Sequence, residues 1–474
     1  MAVRIMDETM TQDAYREESA MSENAITRRS FLAGSAGVAA VAAGAGFMSF
    51  GAWEQADASG TKDVESHTAY SLCNSCSSKC GFKGYVVDGK LTKMIGEPGH
   101  PHCEGTLCGR AYGYASIAYS EDRLTDPLKK NAKGEFEKIS WDQAYSEIAE
   151  KVKSIIGSDG PEALAMVQDP RPSGSYYTKR FMQALGSANV YTHGAACNMS
   201  KNAGFTQVIG AGDYLADVEN AKACMFIGRS YADAIRPSQL HALEKAHENG
   251  AYIVLVDPRL NNSIAFADEW LPINPGTDLA FILALCNVLI EEDLYDHGFV
   301  EQSTAGFDEF AARINDPVMG MTPERAAEIC DVPVDKIYAA ARMYATAKPA
   351  AIMWGLAVDQ KTDGMQNSQC IISLQAITGN LDRPGGQLLP GSDAGHNELG
   401  FGYKECIPDE LFQKMIGMAE YPAYCNMILN SQVDLMLETL ETDEPYPIRM
   451  GFYMGDNALT NCSMEPKRWR AALL

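Results

Sequence analysis

The sequence has 474 residues, of which 46% are hydrophobic, and this is enough to bury the cores of more than one domain. Its formal net charge of −23 argues against a nucleic-acid partner, because a polyphosphate would be repelled. The chain is long and rich in core-type segments, so its 13 cysteines do not indicate a disulfide scaffold.

The N-terminal residues 1–58 are typical of a twin-arginine export signal. A polar stretch is followed by Thr27-Arg28-Arg29-Ser30-Phe31-Leu32, an Ala/Gly-rich run, and the small-x-small site Ala56-Asp57-Ala58. A membrane anchor is the alternative, since the run is about long enough to span a bilayer, although it contains few Leu or Ile residues. The pattern predicts export, to the periplasm or the outer face of the cytoplasmic membrane. This export route carries folded proteins.

Four cysteines dominate the next segment, residues 66–125. They read Cys73-x-x-Cys76-x-x-x-Cys80, and Cys108 follows after a further twenty-seven residues. Three thiolates so close in sequence can wrap one face of a [4Fe–4S] cluster while the fourth returns from a later loop. A structural zinc site is the alternative, but zinc sites usually show paired Cys-x-x-Cys knuckles, and Cys108 has no such pair.

This spacing, followed by Gly109 and Arg110, resembles the N-terminal motif of the molybdopterin oxidoreductases of the dimethyl sulfoxide reductase superfamily. The resemblance implies a [4Fe–4S] cluster and a bis-molybdopterin guanine dinucleotide cofactor that holds molybdenum or tungsten. Many members carry a basic residue two positions after the last cysteine, between cluster and pterin. Arg110 stands at that position, and the resemblance gives it a role in electron transfer.

Beyond residue 126, short apolar runs alternate with stretches whose apolar residues recur at helical spacing. This pattern predicts an α/β fold with doubly wound parallel sheets. The predicted strands are Ala163–Gln168, Ala223–Gly228, Ala251–Asp257, Ala350–Gly355 and Ile448–Met454. The predicted helices include Trp141–Ile156, Tyr176–Leu185, Pro237–Asn249, Leu279–Glu291, Pro323–Cys330, Val334–Ala347 and Gly364–Thr378. We expect residues 126–190 and 391–474 to form a first α/β domain, and residues 191–390 a second domain that binds the pterin dinucleotide.

In such sheets, ligands bind beyond the carboxyl ends of the strands, where this chain places several candidate residues. A glycine or an Asp-Pro after a strand is ordinarily a turn, but their order here resembles the dinucleotide-binding loops of the same superfamily. The candidates are Gly228, Arg229, Ser230, Asp257, Arg259, Gly276, Asp278 and Gly355. Carboxylates such as Asp257 or Asp278 can accept hydrogen bonds from guanine, and glycines allow backbone N–H groups to approach a pyrophosphate, with Arg259 near phosphate.

The candidate metal ligand is Cys197, directly before a helix predicted to begin near Met199. The family supplies Cys, selenocysteine, Ser or Asp to the metal at about this point. A thiolate before a helix N-terminus has a lowered pKa and makes a better ligand for a soft metal. A buried structural cysteine is the alternative. His193 is a further candidate, as a catalytic or supporting group, and a neighbour of the helix cap is its alternative.

Two departures from the family pattern bear on the substrate. Formate dehydrogenases place a histidine directly after the metal ligand, where this chain has Asn198. They also carry an arginine after a glycine pair that matches Gly385-Gly386 of this chain, where this chain reads Gln387-Leu388-Leu389. The arrangement looks closer to the branch that reduces polysulfide, thiosulfate or arsenate.

The resemblance also implies a longer protein, because family subunits continue beyond the landmark near Ile448–Met454 and end in a β-barrel, which we expect to be absent here. The first hypothesis is an exported terminal reductase of anaerobic respiration that acts on a small molecule. Its electrons would come from a ferredoxin-like iron–sulfur subunit and a membrane anchor subunit or quinol-linked donor. The alternatives are a truncated, non-catalytic iron–sulfur remnant, one half of a split catalytic subunit, or a secreted zinc module.

Overall fold

A computed structural model describes residues 66–76, 78–168, 175–192, 197–210, 215–233, 236–389, 408–428, 430–455 and 465–473. The predicted export signal (residues 1–58) and His193 lie outside the described residues. So do residues 391–407 of the expected first α/β domain.

The described elements alternate between strands and helices after a strand-rich start. The helices are α1 Gly109–Ala118, α2 Trp141–Asp159, α3 Ser175–Leu185, α4 Met199–Ile209, α5 Pro237–Glu248, α6 Asp278–Glu291, α7 His297–Ser303, α8 Phe307–Ile314, α9 Pro323–Cys330, α10 Val334–Thr346, α11 Leu356–Asp359, α12 Gly364–Ile377, α13 Asp409–Phe412, α14 Pro422–Ile428, α15 Val433–Thr442 and α16 Pro466–Ala472. The strands are β1 Ser66–Leu72, β2 Gly81–Val87, β3 Lys90–Gly96, β4 Leu128–Lys130, β5 Phe136–Lys138, β6 Leu164–Gln168, β7 Val190–Thr192, β8 Leu215–Ala216, β9 Ala223–Ile227, β10 Tyr252–Val256, β11 Glu269–Leu271, β12 Ala350–Trp354, β13 Gln387–Leu388, β14 Ser431–Gln432 and β15 Met450–Met454.

The cysteine segment is built on a three-stranded sheet in the order β1–β2–β3. β2 and β3 pair in antiparallel fashion around the turn at Asp88 and Gly89, whose φ angles are 49° and 71°. Positive φ at both central residues gives the turn the twist that suits a tight hairpin, and Asp-Gly is a favoured pair there.

The larger α/β layer holds four parallel strands in the order β11–β10–β9–β12. Successive side chains of a strand point to opposite faces, so Met225 and Ile227 of β9 pack into a core with α6, α10 and α12. Cys224 and Phe226 pack on the other face against α5. Helices therefore cover both faces, and the winding direction changes between β9 and β12.

The second α/β sheet has the order β14–β7–β6–β15, again with all neighbours parallel. Its strands come from two distant parts of the sequence, before residue 193 and after residue 430. The central strand β6 is fully buried, with α2 and α3 packed on one face and α15 and α16 on the other. The change of winding direction lies between β6 and β15.

These sheets confirm the predicted α/β class, and the predicted strands and helices that the structure describes lie within a few residues of their expected bounds. Strands of two or three residues, such as β7 and β14, were not predicted because they are too short to show a period. Within the described part of the chain, no helix is both long and apolar enough to cross a membrane.

Candidate functional site

The four predicted cluster cysteines lie together beside the β2–β3 hairpin. Cys73 follows β1 and its backbone N–H donates to the Cys80 carbonyl oxygen at 2.8 Å, which closes the first three cysteines into one loop. Cys73, Cys80 and Cys108 share a small packed core. Cys108 is the N-cap of α1, and no acidic residue occupies the first turn of that helix, so its sulfur lies at the positive end of the helix dipole.

Electrostatic effects at the thiols show how near they are to one another. Burial raises the pKa of Cys80 to about 11, with further contributions from Cys103, Cys76, Cys73 and Cys108. Burial also disfavours the Cys76 thiolate, but hydrogen bonds from Ser78 and the charges of Arg110 and Arg236 outweigh it, and the pKa of Cys76 lies below its ordinary value. Two cations from different segments therefore lie near this group of sulfurs.

The five cysteines of this segment fall into two groups. Among the described residues, which include all five cysteines of this segment, no three ligand-type side chains converge on a single-ion site. Cys103 differs from the other four, because its fully buried thiol donates to the Gly81 carbonyl oxygen at 3.4 Å. The structure thus separates one structural thiol from four candidate cluster ligands.

One face of α5 holds the cysteine segment against the larger α/β layer. Ser238 and His241 lie 3.2 Å from His102 and Thr106, respectively, and Lys245 lies 3.4 Å from Glu104. The three helix residues follow the i, i+3, i+7 spacing of a single face.

A cavity of about 360 Å³ lies beside this contact, lined by Ser78 and His102 on one side and by Tyr231 and Arg236 on the other. Arg236, just before α5, lines this cavity together with Tyr231 of the loop that follows β9, and its charge acts on Cys76.

The predicted dinucleotide residues that follow β9, β10 and β12 share one edge of the sheet. Because these strands are parallel, Gly228, Asp257 and Gly355 each stand directly beyond a carboxyl end. Gly228 has a φ of 57°, and its N–H donates to Val256 O at 2.8 Å. The edge includes the change of winding direction between β9 and β12, which is where open α/β sheets bind ligands.

Several of the predicted residues form hydrogen bonds or ion pairs within the loops. Asp257 accepts from Arg259 N at 2.8 Å and from Asn261 Nδ2 at 3.0 Å. Ser230 Oγ lies 2.9 Å from Ser263 Oγ. Arg259 forms an ion pair with Asp233 at 2.9 Å.

The other predicted residues of these loops differ in their contacts with the rest of the protein. The Arg229 side chain, whose pKa is lowered by burial, donates to Gln239. Gly276 has a φ of 84° and open space where a Cβ would stand, so its backbone can be approached. Asp278, at the start of α6, forms an ion pair with Lys361.

Residues 355–363, which lie between β12 and α12 and include α11, connect these elements, and we name them the crossover segment. Gly355 N donates to Ile227 O at 3.0 Å, directly before Gly228. Asp359 accepts from the backbone N–H groups of Asn198 and Lys201, both at 2.7 Å. The half-buried Cys197 precedes Asn198 directly. The crossover segment therefore holds the candidate metal ligand at the same sheet edge as Gly228 and Asp278.

Comparison with known protein families gives two matches. The molybdopterin oxidoreductase family matches residues 123–437, which are 315 of the 474 residues, and the molybdopterin oxidoreductase Fe4S4 domain matches residues 66–120. The chain belongs to the molybdopterin oxidoreductase family. Its cofactors are accordingly a molybdopterin and a [4Fe–4S] cluster, and the cysteine group and the sheet edge described above fit them.

Individual relatives and a solved structure match most of this chain. The chain is 33% identical to the thiosulfate reductase molybdopterin-containing subunit PhsA of Salmonella typhimurium, over 90% of this chain and 56% of the relative. It is 31% identical to the acetylene hydratase of Syntrophotalea acetylenica, over 82% and 57%. The solved acetylene hydratase from Pelobacter acetylenicus superimposes with a TM-score of 0.77 at 30% identity, covering 85% of this chain and 59% of that one. The chain thus spans little more than half the length of these relatives.

Sequence reasoning missed Asp359, Lys361 and Arg236. Asp359 and Lys361 lie between the candidate residue Gly355 and the predicted helix that begins at Gly364. Two charged residues in this position beyond a strand could have drawn attention to them. Arg236 stands before a proline at a predicted helix start and carries no comparable signal.

Proposed function

We propose that this chain binds the cluster and the pterin cofactor of an exported molybdenum or tungsten oxidoreductase, a terminal reductase in anaerobic respiration. The observation that carries the proposal is the set of contacts made by the crossover segment. Through Asp359, Gly355 and Lys361 it joins the turn after Cys197, the loop at Gly228 and the start of α6. Cys197, the proposed ligand for a soft metal, would thereby be held beside loops suited to a dinucleotide.

The residues have distinct roles in this proposal. Cys73, Cys76, Cys80 and Cys108 bind the cluster, and the cations of Arg110 and Arg236 lie beside it. Cys197 binds the metal of a bis-molybdopterin guanine dinucleotide, which supplies the two-electron chemistry when bound.

The loops beyond the strands hold the dinucleotide in this proposal. The backbone at Gly228 and Gly276 approaches the pyrophosphate. The carboxylate of Asp257, which still has free lone pairs, accepts from guanine.

A small oxidised anion such as thiosulfate is the proposed substrate. Asn198 supports this choice, because it stands where formate dehydrogenases have a histidine. It adopts a left-handed conformation that asparagine tolerates well, and its side chain donates to Asn202 at 3.3 Å. The similarity to PhsA, which is named as a thiosulfate reductase subunit, points the same way.

Electrons would arrive from an iron–sulfur subunit that is linked to a membrane anchor or a quinol-linked donor. The twin-arginine pattern at Arg28 and Arg29 supports export of the folded protein.

Metal analysis combined with an activity screen tests the proposal. Protein without residues 1–58 is purified anaerobically and analysed for iron, molybdenum, tungsten and released guanine. Oxidation of a reduced viologen is then followed with thiosulfate, polysulfide, arsenate and nitrate as oxidants. The proposal predicts about four irons and one molybdenum or tungsten per chain, with guanine. Iron without either metal would instead support a non-catalytic iron–sulfur protein.

A second candidate function is hydration of a carbon–carbon triple bond. It is favoured by the TM-score of 0.77 to a solved acetylene hydratase. Consumption of acetylene without any electron acceptor would support this candidate. Viologen-linked reduction of an oxidised sulfur compound, with no effect on acetylene, would support the first.

A further inference from the structure

The side chain of Asp359 contacts the turn after the candidate metal ligand Cys197, although the two are far apart in the sequence. Its carboxylate is buried, with 3% of the residue exposed. Oδ2 accepts from Asn198 N and Oδ1 from Lys201 N, both at 2.7 Å. One carboxylate from the crossover segment therefore binds two backbone N–H groups at the start of α4.

The start of α4 depends on this contact because it has no local cap. The N-cap residue Asn198 has a φ of 64° and makes no side-chain cap. The first N–H groups of a helix have no partner within the helix, and a buried one without a partner is destabilising. Asp359 supplies the missing acceptor from another segment. It thereby fixes the position of the residue that precedes Asn198, which is Cys197.

The same contact changes the electrostatics expected at Cys197. The positive end of a helix favours a nearby anion, and the sequence led us to expect the Cys197 thiolate in that role. In the structure the carboxylate of Asp359 already occupies this end of α4. Of the nearby cations, Lys361 is engaged by Asp278, and the Lys201 ammonium lies over the Trp354 ring, 4.7 Å from its centroid. A metal bound at Cys197 would therefore have a second negative charge close to its thiolate ligand.

We propose that Asp359 is a positioning residue for the metal site: it anchors the Cys197 turn to the crossover segment and makes the bound metal harder to reduce. This inference rests on the proposed function, in which Cys197 is a metal ligand. A fixed negative charge stabilises the more oxidised, more positive state of a nearby metal, so it lowers the reduction potential.

The experiment compares Asp359→Asn, Asp359→Glu and a matched control in the full chain. Asparagine keeps the size of the side chain, but it removes the charge and replaces one acceptor by an NH₂ group. Asp296→Asn is the control, because Asp296 caps another helix of the same layer by accepting from Phe299 N at 3.0 Å. Hydrogen exchange of a peptide covering residues 197–205 reports the anchoring. A redox titration followed by the Mo(V) electron paramagnetic resonance signal reports the potential, with the iron–sulfur signal as internal reference.

For Asp359→Asn we expect faster exchange at the start of α4 and a more positive molybdenum potential, with the cluster potential unchanged. Asp359→Glu, which keeps the charge, should restore most of the potential, and Asp296→Asn should alter neither readout at this site. An unchanged potential in Asp359→Asn, with or without faster exchange, would overturn the proposal, because Asp359 would then be at most a helix cap. A molybdenum signal unaffected by Cys197→Ala would overturn the assignment of Cys197 as a metal ligand as well. Metal analysis shows separately whether the protein binds molybdenum.

Discussion

Gly355 lies directly against the carbonyl oxygen of Gly228, so that a Cβ atom built on Gly355 would stand 2.0 Å from that oxygen. The two glycines follow β12 and β9, the pair of strands between which the winding direction changes. No side chain can enter this contact without moving one of the two backbones. The close approach joins the start of the crossover segment to the loop proposed to receive the dinucleotide.

Gly355→Ala is therefore expected to destabilise the protein by about 1–3 kcal/mol, because the added methyl group meets backbone rather than a flexible side chain. Urea unfolding measures the free energy. Gly157→Ala is the control: Gly157 lies inside α2 with nothing within 4 Å of a built Cβ, and there alanine should stabilise by about 0.5–1 kcal/mol. Equal stability of Gly355→Ala and the wild type would show that the two loops can separate freely.

The ion pair between Lys361 and Asp278 should be strongly coupled. Only 14% and 9% of the two side chains are exposed, so removal of one partner leaves a poorly solvated charge. A double-mutant cycle with Lys361→Met and Asp278→Asn should give a coupling energy of about 1–3 kcal/mol in urea unfolding. The exposed pair Lys138–Asp126 serves as the comparison and should show much weaker, salt-sensitive coupling. Similar coupling energies in both pairs would show that burial of the charges does not strengthen the Lys361–Asp278 ion pair.

The cysteines of the N-terminal segment should divide into two classes on substitution by serine. Each of Cys73, Cys76, Cys80 and Cys108 should be required for full iron content, whereas Cys103→Ser should retain about four irons per chain. A serine hydroxyl at position 103 can still donate to the Gly81 carbonyl oxygen, as the thiol does. Iron analysis and visible absorbance of anaerobic protein measure the outcome. Loss of iron from Cys103→Ser would place that residue among the ligands.

The ion pair between Glu162 and Lys414 predicts a pH-dependent part of the stability. The Lys414 ammonium, 2.8 Å away, holds the pKa of Glu162 below its ordinary value of 4.5. Between the two pKa values the unfolded state binds more protons, so this stabilisation is complete above pH 4.5 and is lost as the pH falls through the folded-state pKa. Glu162→Gln should lower the free energy of unfolding by up to about 1 kcal/mol at pH 7. The difference in the free energy of unfolding between this variant and the wild type should disappear in acid. A difference that persists in acid would show that packing, and not charge, causes the effect.

The sequence predicted what depends on local pattern. β9, β10 and β12 are short apolar runs that end in glycine or Asp-Pro, so both the strands and the edge that they share could be read from neighbouring residues. The role of Asp359 could not, because its partners Asn198 and Lys201 lie 161 and 158 residues away and no local pattern encodes that contact. For the same reason, the sequence did not indicate that a distant carboxylate accepts hydrogen bonds at the positive end of α4, directly after Cys197.

The central claim is that Cys197 binds the metal of the pterin cofactor. Molybdenum K-edge X-ray absorption of wild-type protein and Cys197→Ser tests it most directly, with Cys103→Ser as the control. The account predicts that Cys197→Ser loses one sulfur from the metal coordination shell and gains one oxygen, while the control retains the wild-type shell. An unchanged number of sulfur ligands in Cys197→Ser would contradict the claim.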